Sequence, residues 1–270
     1  MQRRMAPEIV SPKDKPLQPM TVYPLPSARE VAPGDDLGAL LQESLQNQNV
    51  APERGDIVVV AQKIVSKAEG RIVDLRTVTP SARARELAAL TLKDPRMVEV
   101  VLSESVAVVR AVPHVLIVRH RNGCVMANAG IDHSNVPVQE GREPVLLLPA
   151  EPDAAAAALR RRLADSYGFA PGVVIADSFG RPWRLGVTHV AIGAAGIPAL
   201  VDLRGQDDRE GRVLEVSQVA FGDAVATAAG LVMGEAAEGC PAVLVRGLRP
   251  LAPELAARGL VRPESEDLFR

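Results

Sequence analysis

The sequence predicts an α+β fold, in which strands and helices are interspersed irregularly along the chain. The chain has 270 residues, of which 47% are hydrophobic, enough for one large core or two smaller cores. Short β-branched runs of strand length are separated by segments with the apolar spacing of helices. These segments do not follow the regular strand–helix–strand order of a doubly wound sheet, and no internal repeat is present.

Helices and strands in the first half of the chain have clear starting signals. Asp35 or Asp36 can cap a leucine-rich helix, Ser81 can cap a second helix, and Pro95 suits the first turn of a third. The apolar run after Gly55 has the β-branched composition of a buried strand. Strands are therefore predicted at 21–24 and 57–61, and helices at 35–46, 81–92 and 95–104.

The second half of the chain has similar signals. Asp153 can cap an alanine-rich helix, which Gly168 ends. The segment 217–234 is rich in alanine and glycine, which predicts a helix packed closely against a neighbour. The segment 251–270 is polar and is predicted to be a helical tail. Strands are predicted at 106–110, 115–119, 125–127, 172–176 and 242–246, and a helix at 154–167.

Charge and composition exclude several classes of protein. The 31 basic and 33 acidic residues leave a formal charge of -2, and aromatic residues make up 3%, so a dedicated nucleic-acid binder is not expected. Two cysteines cannot form a disulfide framework. No stretch approaches the ~18 apolar residues of a membrane span, so we expect a cytoplasmic protein without a membrane partner. Residues 1–19 are polar and rich in proline, which predicts a flexible extension.

The first candidate site is the segment 62–71, which follows the predicted strand at 57–61. It contains Gln62, Lys63 and Lys67, and it ends with a glycine at position 70. A lysine supplies a mobile positive charge and a glycine allows close backbone approach, and a polyphosphate needs both. The alternative is a solvated amphipathic strand with a turn at the glycine.

The second candidate site is the polar loop 128–136. Asp132 can supply an oxygen ligand to a metal ion, and Asn135 can hydrogen bond to a ligand. A plain turn explains the same residues, because asparagine, aspartate and glycine are typical of turns. His133 and the other three histidines lack metal-ligand spacing, so we expect His133 to be an exposed loop residue.

The third candidate site follows the predicted strand at 172–176. Asp177 and Ser178 come directly after the apolar residues, where metal ligands are common. Arg181 and Arg184 can bind phosphate or carboxylate oxygens through two hydrogen bonds each. The alternative is a structural turn in which Trp183 stacks on an arginine.

The fourth candidate is Glu235, after the small-residue helix. A carboxylate at a helix C-terminus is unfavourable beside the helix dipole, and a bound cation would relieve this conflict. The alternative is that Gly234 ends the helix and Glu235 faces water. Together, Asp132, Asp177 and Glu235 are oxygen ligands without a cysteine or histidine pair, which favours Mg²⁺ or Mn²⁺ on a phosphate over zinc.

At these sites the sequence resembles the coenzyme F420-0:L-glutamate ligase family, the γ-glutamyl ligases that add glutamate to a deazaflavin coenzyme precursor. The matching residues occur in family order from about Val22 to Arg249. The segments that carry the resemblance are 34–37, 65–71, 128–132 with 134–136, 177–178 with 180–181, and 233–235. Two departures are Gln62-Lys63, where archaeal members have small hydroxyl residues, and Ser27-Ala28-Arg29, where they have a Gly-Leu-Pro type loop.

The resemblance implies a GTP-dependent amide ligase. In the family, the γ-phosphate activates a carboxylate of F420-0 as an acyl phosphate, the amine of L-glutamate attacks it, and GDP and phosphate are released. The resemblance also implies a ligase domain at 20–250, mixed sheets with packed helices in two subdomains, and an intertwined homodimer. A potassium ion accompanies two divalent ions in the family.

Roles for individual residues follow from the same resemblance. Lys67 and Asp177 are expected in catalysis. Asp132 and Asp177 are expected to hold one Mg²⁺ or Mn²⁺ ion, and Ser178 and Glu235 a second. The nucleotide contacts that the resemblance implies are Lys67 and Asn135. Gln62 and Lys63 of the first candidate site are expected to contact the nucleotide as well, although they depart from the family pattern.

Two other functions remain open from the sequence alone. One is a ligase with the same chemistry that acts on another carboxylate acceptor. The other is a non-catalytic sensor of a nucleotide or metal with the same fold. Lys67 and the three carboxylates argue against a sensor, because a sensor does not need to neutralise a transferring phosphate.

Overall fold

A computed structural model describes residues 18–134, 136, 141–249 and 252–267. The six α-helices of these residues are α1 (Leu37–Asn47), α2 (Gln62–Ala68), α3 (Ala82–Thr91), α4 (Pro95–Ser103), α5 (Pro152–Tyr167) and α6 (Phe221–Met233). The strands are β1 (Thr21–Leu25), β2 (Ile57–Ala61), β3 (Ile72–Asp74), β4 (Ser105–Val112), β5 (Val115–His120), β6 (Val125–Ala127), β7 (Pro144–Leu146), β8 (Gly172–Arg181), β9 (Arg184–Ala195), β10 (Val201–Asp202), β11 (Gln218–Val219) and β12 (Ala242–Arg246). The prediction of an α+β fold with mixed sheets is confirmed.

The largest sheet has five strands in the order β1-β12-β2-β8-β9. Strand β2 is parallel to β8, and the other pairs are antiparallel. Successive side chains of a strand point to opposite faces, so β2 sends Val58 and Val60 to one core cluster and Ile57 and Val59 to another. Helices α1 and α5 cover the first face, and α6 covers the second. The central strands are almost wholly apolar because both of their faces are buried.

A third core cluster lies between the helices α3 and α4 and the three-stranded sheet β4-β5-β6. Its members with almost no exposed surface include Leu87 of α3, Val98 and Val101 of α4, and Leu116 and Val118 of β5. Helix α3 begins after Ser81, whose side chain accepts a hydrogen bond from Ala84, as the sequence predicts.

The small-residue helix was predicted at 217–234, but α6 begins at Phe221. Gln218 and Val219 instead form the short strand β11, which pairs with β10. Within α6, Ala226 and Ala229 are fully buried against the sheet, which confirms the close packing that the small side chains predict.

Asp153 does not cap α5, which corrects the prediction. The helix already begins at Pro152, and Asp153 lies in its first turn. Its carboxylate accepts hydrogen bonds from the backbone nitrogens of Ala194 (2.8 Å), Ala257 (2.9 Å) and Arg258 (3.1 Å). Asp153 therefore joins α5 to β9 and to the C-terminal segment, whereas Gly168 ends the helix as predicted.

The predicted helical tail at 251–270 also differs in the part that the structure describes. Residues 252–267 contain two short 3-10 helices, Ala257–Leu260 and Glu264–Glu266, and no α-helix. The predicted extension at 1–19 lies almost entirely outside the described residues. No helix in the described part of the chain is long and apolar enough to cross a membrane.

Candidate active site

The candidate site lies where the parallel pair of strands ends. Strand β8 continues to Arg181, so Asp177 and Ser178 lie within it, and the predicted strand bounds of 172–176 are wrong at the C-terminal end. The parallel pairing stops at Ala61 of β2 and Ala176 of β8, which places the carboxyl end of β2 at one edge of the pair. Ligands of sheet enzymes commonly bind at such an edge. A cavity of about 540 Å³ opens there. Its lining comes from several separate segments of the chain: Gln62, Lys63, Lys67, Asp177, Ser178, His189 and Glu235, together with the loop 27–31 and residues 233–241.

The lysine segment forms helix α2, so the alternative of a solvated strand is wrong. Because a helix starts directly after β2, Lys63 and Lys67 lie one turn apart at the cavity. The Lys67 side chain is only 6% exposed, and its Nζ donates to Glu30 Oε2 at 2.6 Å. Glu30 is 77% exposed, so its carboxylate can move away from Lys67 at little cost.

Lys63 faces a different partner. Its Nζ lies 2.6 Å from Asp132 Oδ2 and 2.6 Å from Ser134 Oγ. Gln62 lines the cavity but is nearly buried, and its Oε1 accepts a hydrogen bond from Ser66 at 2.9 Å. Gln62 and Lys63 therefore have different partners. Gln62 bonds within its own helix, whereas Lys63 places a positive charge against the loop of the second candidate site.

Asp132 is held by the backbone on both sides. Asp132 and Leu146 exchange two backbone hydrogen bonds of 3.1 and 2.9 Å. The preceding Gly130 has φ +68°, and a Cβ there would lie 2.9 Å from the side chain of Leu148, so only glycine fits this approach. Asp132 also accepts from Ser134 N at 2.7 Å, which makes the plain-turn interpretation correct as local geometry. Asp132 therefore forms the local turn and the ion pair with Lys63 at the same time.

Burial raises the pKa of Asp177 to about 7. The charges of Asp132 and Glu235 raise this pKa further, while the backbone N–H of Ser178 and the charge of Lys63 lower it. The charged groups of the other candidate sites therefore affect the pKa of Asp177, in addition to its burial. By contrast, the Lys63 ammonium and hydrogen bonds from Ser134 hold the pKa of Asp132 below its usual range despite partial burial.

Glu235 lies directly after the end of α6 at Met233, with Gly234 as the capping residue. Its carboxylate does not simply face water: Ser178 Oγ donates to Oε2 at 2.8 Å, and Oε1 lies 2.8 Å from His189 Nε2. The predicted second pair of ligands, Ser178 and Glu235, is therefore brought together by the structure.

Other predicted residues are not brought to the cavity. Arg181 and Arg184 are exposed at the turn between β8 and β9, and neither is among the described residues that line the cavity. Trp183 in that turn is 90% exposed, so the predicted stacking corner is not formed as a buried contact. His133 is exposed, as predicted. The predicted nucleotide contact Asn135 lies outside the described residues.

Two residues of the cavity were missed by sequence reasoning. Glu30 is in a loop with no motif, and no local signal connects it to Lys67, which is 37 residues away. His189 was set aside because it has no metal-ligand spacing. A strand-pairing argument could have found His189, because it lies opposite Ser178 in the β8–β9 hairpin.

The donor set of this cavity fits hard cations. Asp177, Ser178 and Glu235 line it and offer only oxygen atoms, which Mg²⁺ and Mn²⁺ prefer. Asp132 is not among the described lining residues and is joined to the cavity through its ion pair with Lys63. The Lys63 ammonium already rests on Asp132, so this carboxylate accepts a cation in its present position. Within the described ranges, no group of three or more His, Cys, Asp or Glu side chains is arranged to hold a metal ion by itself.

A cavity of this size, with convergent charged groups where the parallel pairing of β2 and β8 stops, has the features of a candidate enzyme active site. Residues 27–247 match the family model described as F420-0:Gamma-glutamyl ligase. The chain therefore belongs to this family and is a ligase.

Curated relatives agree with the family. The chain is 46% identical over 258 residues to the coenzyme F420:L-glutamate ligase of Methanopyrus kandleri, which covers 94% of this chain and 99% of the relative. It is 42% identical over 249 residues to the protein of the same name from Archaeoglobus fulgidus, covering 92% and 96%. The identity to the Methanocaldococcus jannaschii protein of that name is 41% over 218 residues, covering 81% and 86%.

Proposed function

We propose that this ligase joins L-glutamate to the deazaflavin precursor F420-0 through a γ-glutamyl amide bond, with GTP as co-substrate. The observation that carries the proposal is the cavity in which Lys63, Lys67, Asp177 and Glu235 converge, in a chain of this family. The name of the relatives, coenzyme F420:L-glutamate ligase, supports the acceptor and the amino acid.

The reaction proceeds in two transfers. A carboxylate oxygen of F420-0 attacks the γ-phosphorus of GTP, the bond to the β-phosphate oxygen breaks, and GDP leaves. The amine of L-glutamate then attacks the acyl carbon, phosphate leaves with its bonding electrons, and the nitrogen gives up a proton. Phosphoryl transfer of this kind depends on positioning and charge neutralisation and needs no covalent protein nucleophile.

The basic residues of α2 would bind the nucleotide. Lys67 is almost buried and lies at the cavity, where its ammonium can bind a phosphate oxygen once Glu30 moves away. Lys63 lies one turn earlier and can reach a second phosphate group. Gln62 and Asn135 are the remaining proposed contacts of the nucleotide.

The acidic residues would hold cations. Asp132 and Asp177 would hold one Mg²⁺ or Mn²⁺ ion, and Ser178 and Glu235 a second. When bound, these ions neutralise charge on the transferring phosphoryl group. Burial, and after it the charges of Asp132 and Glu235, raise the pKa of Asp177, and bound cations would stabilise its ionised form. A potassium ion is also proposed.

We further propose that the protein is a homodimer. The hairpin of β8 and β9 carries Trp183 and Leu185 at 90% and 99% exposure, with Val187 at 52%. Exposed apolar side chains that are gathered on one projecting hairpin are typical of a surface that a partner covers. Sedimentation of the wild type and of a Trp183→Ser, Leu185→Ser variant tests this proposal, because the variant should be monomeric.

The reaction itself is tested by mass spectrometry of F420-0 incubated with the protein, L-glutamate, Mn²⁺, K⁺ and either GTP or ATP. We expect a mass gain in glutamyl steps with GTP, and phosphate release that depends on both F420-0 and glutamate. Asp177→Asn protein is the matched inactive control. Gain with ATP alone would contradict the GTP dependence.

Two outcomes would redirect the function. Phosphate release without F420-0, but with another carboxylate, would identify a ligase for a different acceptor. Nucleotide or Mn²⁺ binding by folded protein, without phosphate release under any combination of substrates, would identify a sensor.

A further inference from the structure

His189 is placed beside Glu235 by the pairing of two strands. In the β8–β9 hairpin, His189 lies directly opposite Ser178. Both residues reach the same carboxylate: Ser178 Oγ donates to Glu235 Oε2, and His189 Nε2 lies 2.8 Å from Oε1. A carboxylate oxygen of this kind accepts, so the contact is a hydrogen bond in the tautomer in which Nε2 of His189 carries the proton.

The position of the imidazole is fixed from behind by α6. A Cβ at Gly230 would lie only 2.4 to 2.9 Å from ring atoms of His189, so the ring packs where a side chain would otherwise be. Thr227 of the same helix donates to the backbone oxygen of His189 at 2.8 Å. The His189 side chain is 11% exposed, whereas Glu235 is 49% exposed. A largely covered histidine thus contacts a half-exposed carboxylate.

The other ring nitrogen is satisfied by no group in the described residues. His189 Nδ1 is buried without a hydrogen-bond partner there. Buried polar atoms usually have partners, and leaving one without a partner costs stability. The ring therefore has an orientation in which Nε2 contacts Glu235 and Nδ1 lacks a hydrogen bond to the described residues.

We infer that His189 is a positioning residue, which holds the Glu235 carboxylate at the cavity beside Ser178 and so determines the affinity of the cation that these two residues would bind. The inference rests on the proposed cation role of Glu235. Donors that orient a metal-binding carboxylate commonly change metal affinity by about 10- to 100-fold when they are removed. His189 acts through Glu235 and is not assigned a contact with substrate.

Substitution by two amides separates positioning from packing. The glutamine of His189→Gln can place an N–H donor near the position of Nε2, whereas the shorter asparagine of His189→Asn cannot. We expect Mn²⁺ alone, titrated by electron paramagnetic resonance, to bind His189→Gln within about threefold of the wild type. We expect His189→Asn to bind Mn²⁺ at the Glu235 site about 10-fold or more weakly. Melting curves in EDTA establish that each variant is folded.

Glu235→Gln distinguishes the two hypotheses. If it weakens Mn²⁺ binding but His189→Asn binds like the wild type, the role of His189 is wrong and the cation role of Glu235 stands. If Glu235→Gln itself binds like the wild type, both are wrong. Gly230→Ala provides an independent variant, which should displace the ring and reproduce the loss seen with His189→Asn; should it not fold, the comparison of the two amides decides.

A measurement without metal addresses the same contact. Long-range ¹H–¹⁵N correlation of the histidine side chains should show His189 as the Nε2–H form in the wild type, with a shifted signal in Glu235→Gln. A wild-type signal from the Nδ1–H form would overturn the inference, because that form cannot donate to Glu235.

Discussion

Lys63 and Asp132 form an ion pair between α2 and the loop that follows β6, with Nζ 2.6 Å from Oδ2. The pair joins two segments that the sequence analysis treats as separate candidate sites. Both side chains are partly exposed, at 27% and 37%. A cation that binds to Asp132 must displace an ammonium group of the chain itself.

Replacement of Lys63 by methionine should therefore increase the affinity of the nucleotide-free protein for Mn²⁺. A partly exposed ion pair is worth ~1 kcal/mol, so we expect about fivefold tighter binding. The same variant should bind GTP more weakly, because a phosphate contact is lost. Lys93→Met, which lies outside the cavity, is the matched control. Weaker Mn²⁺ binding by Lys63→Met would contradict the competition.

Variants of Lys67 and Glu30 should affect GTP binding in opposite directions. Lys67→Met removes the nearly buried ammonium, and we expect roughly 10-fold weaker GTP binding. Glu30→Gln removes the carboxylate that occupies this ammonium, and about threefold tighter binding is expected because Glu30 is exposed. Equilibrium binding of a fluorescent GTP analogue measures both. Changes of the same sign would show that Glu30 contributes to the nucleotide site instead of blocking it.

Asp177→Asn should abolish turnover but stabilise the metal-free fold at pH 8. Burial raises the pKa of Asp177 from 3.8 to about 7, so between these pH values the native state keeps a proton that the unfolded state has released. The contribution of Asp177 to stability therefore falls as the pH rises across this window. Asparagine carries no charge, and we expect a gain on the order of 2 kcal/mol at pH 8, with allowance for solvent in the cavity.

The measurement for Asp177 is urea unfolding in EDTA from pH 4 to pH 8, with wild type and variant compared at each pH. Comparison of the two proteins removes the contributions of the other carboxylates. Equal stability of the two proteins at every pH would mean that Asp177 is well solvated in the native state.

Asp153→Asn should destabilise the fold because Asp153 accepts three backbone hydrogen bonds from two separate segments. A hydrogen bond to a charged group contributes about 1.5–3 kcal/mol to stability. We therefore expect the free energy of unfolding to fall by about 2 kcal/mol. Hydrogen exchange at Ala257 and Arg258 should accelerate most. Asp165→Asn in the same helix, at an exposed position, is the control and should leave both quantities unchanged.

Much of the fold could be predicted from local sequence patterns. The strands β2 and β12 have the predicted bounds, because continuous β-branched runs between turn residues allow few other structures. Helices with side-chain caps, such as those after Asp36 and Ser81, begin as predicted. The prediction for Asp153 was wrong because the sequence shows only that a carboxylate lies near a helix start. It does not show that the carboxylate accepts hydrogen bonds from backbone groups of other segments.

The candidate site shows the same division between local and distant information. The residues at positions 63, 67, 132, 177 and 235 could be selected because charged groups that follow apolar segments or stand in polar loops are recognisable locally. The partners of these residues are not visible in the adjacent sequence: Glu30 for Lys67 and His189 for Glu235 come from other segments. Such pairs depend on the path of the chain and not on the neighbours of each residue.

Local sequence patterns predict the α+β class, the buried strands, most helix starts and the oxygen-rich and lysine-rich chemistry of the site, and the motifs indicate the family. The chain path in three dimensions places the parallel pairing of β2 and β8 beside the cavity, the Lys63 ammonium on Asp132, and His189 in contact with Glu235. The physical reason is range: propensity, capping and periodicity act within a few residues, whereas strand pairing and burial set which charges meet and how far each pKa moves.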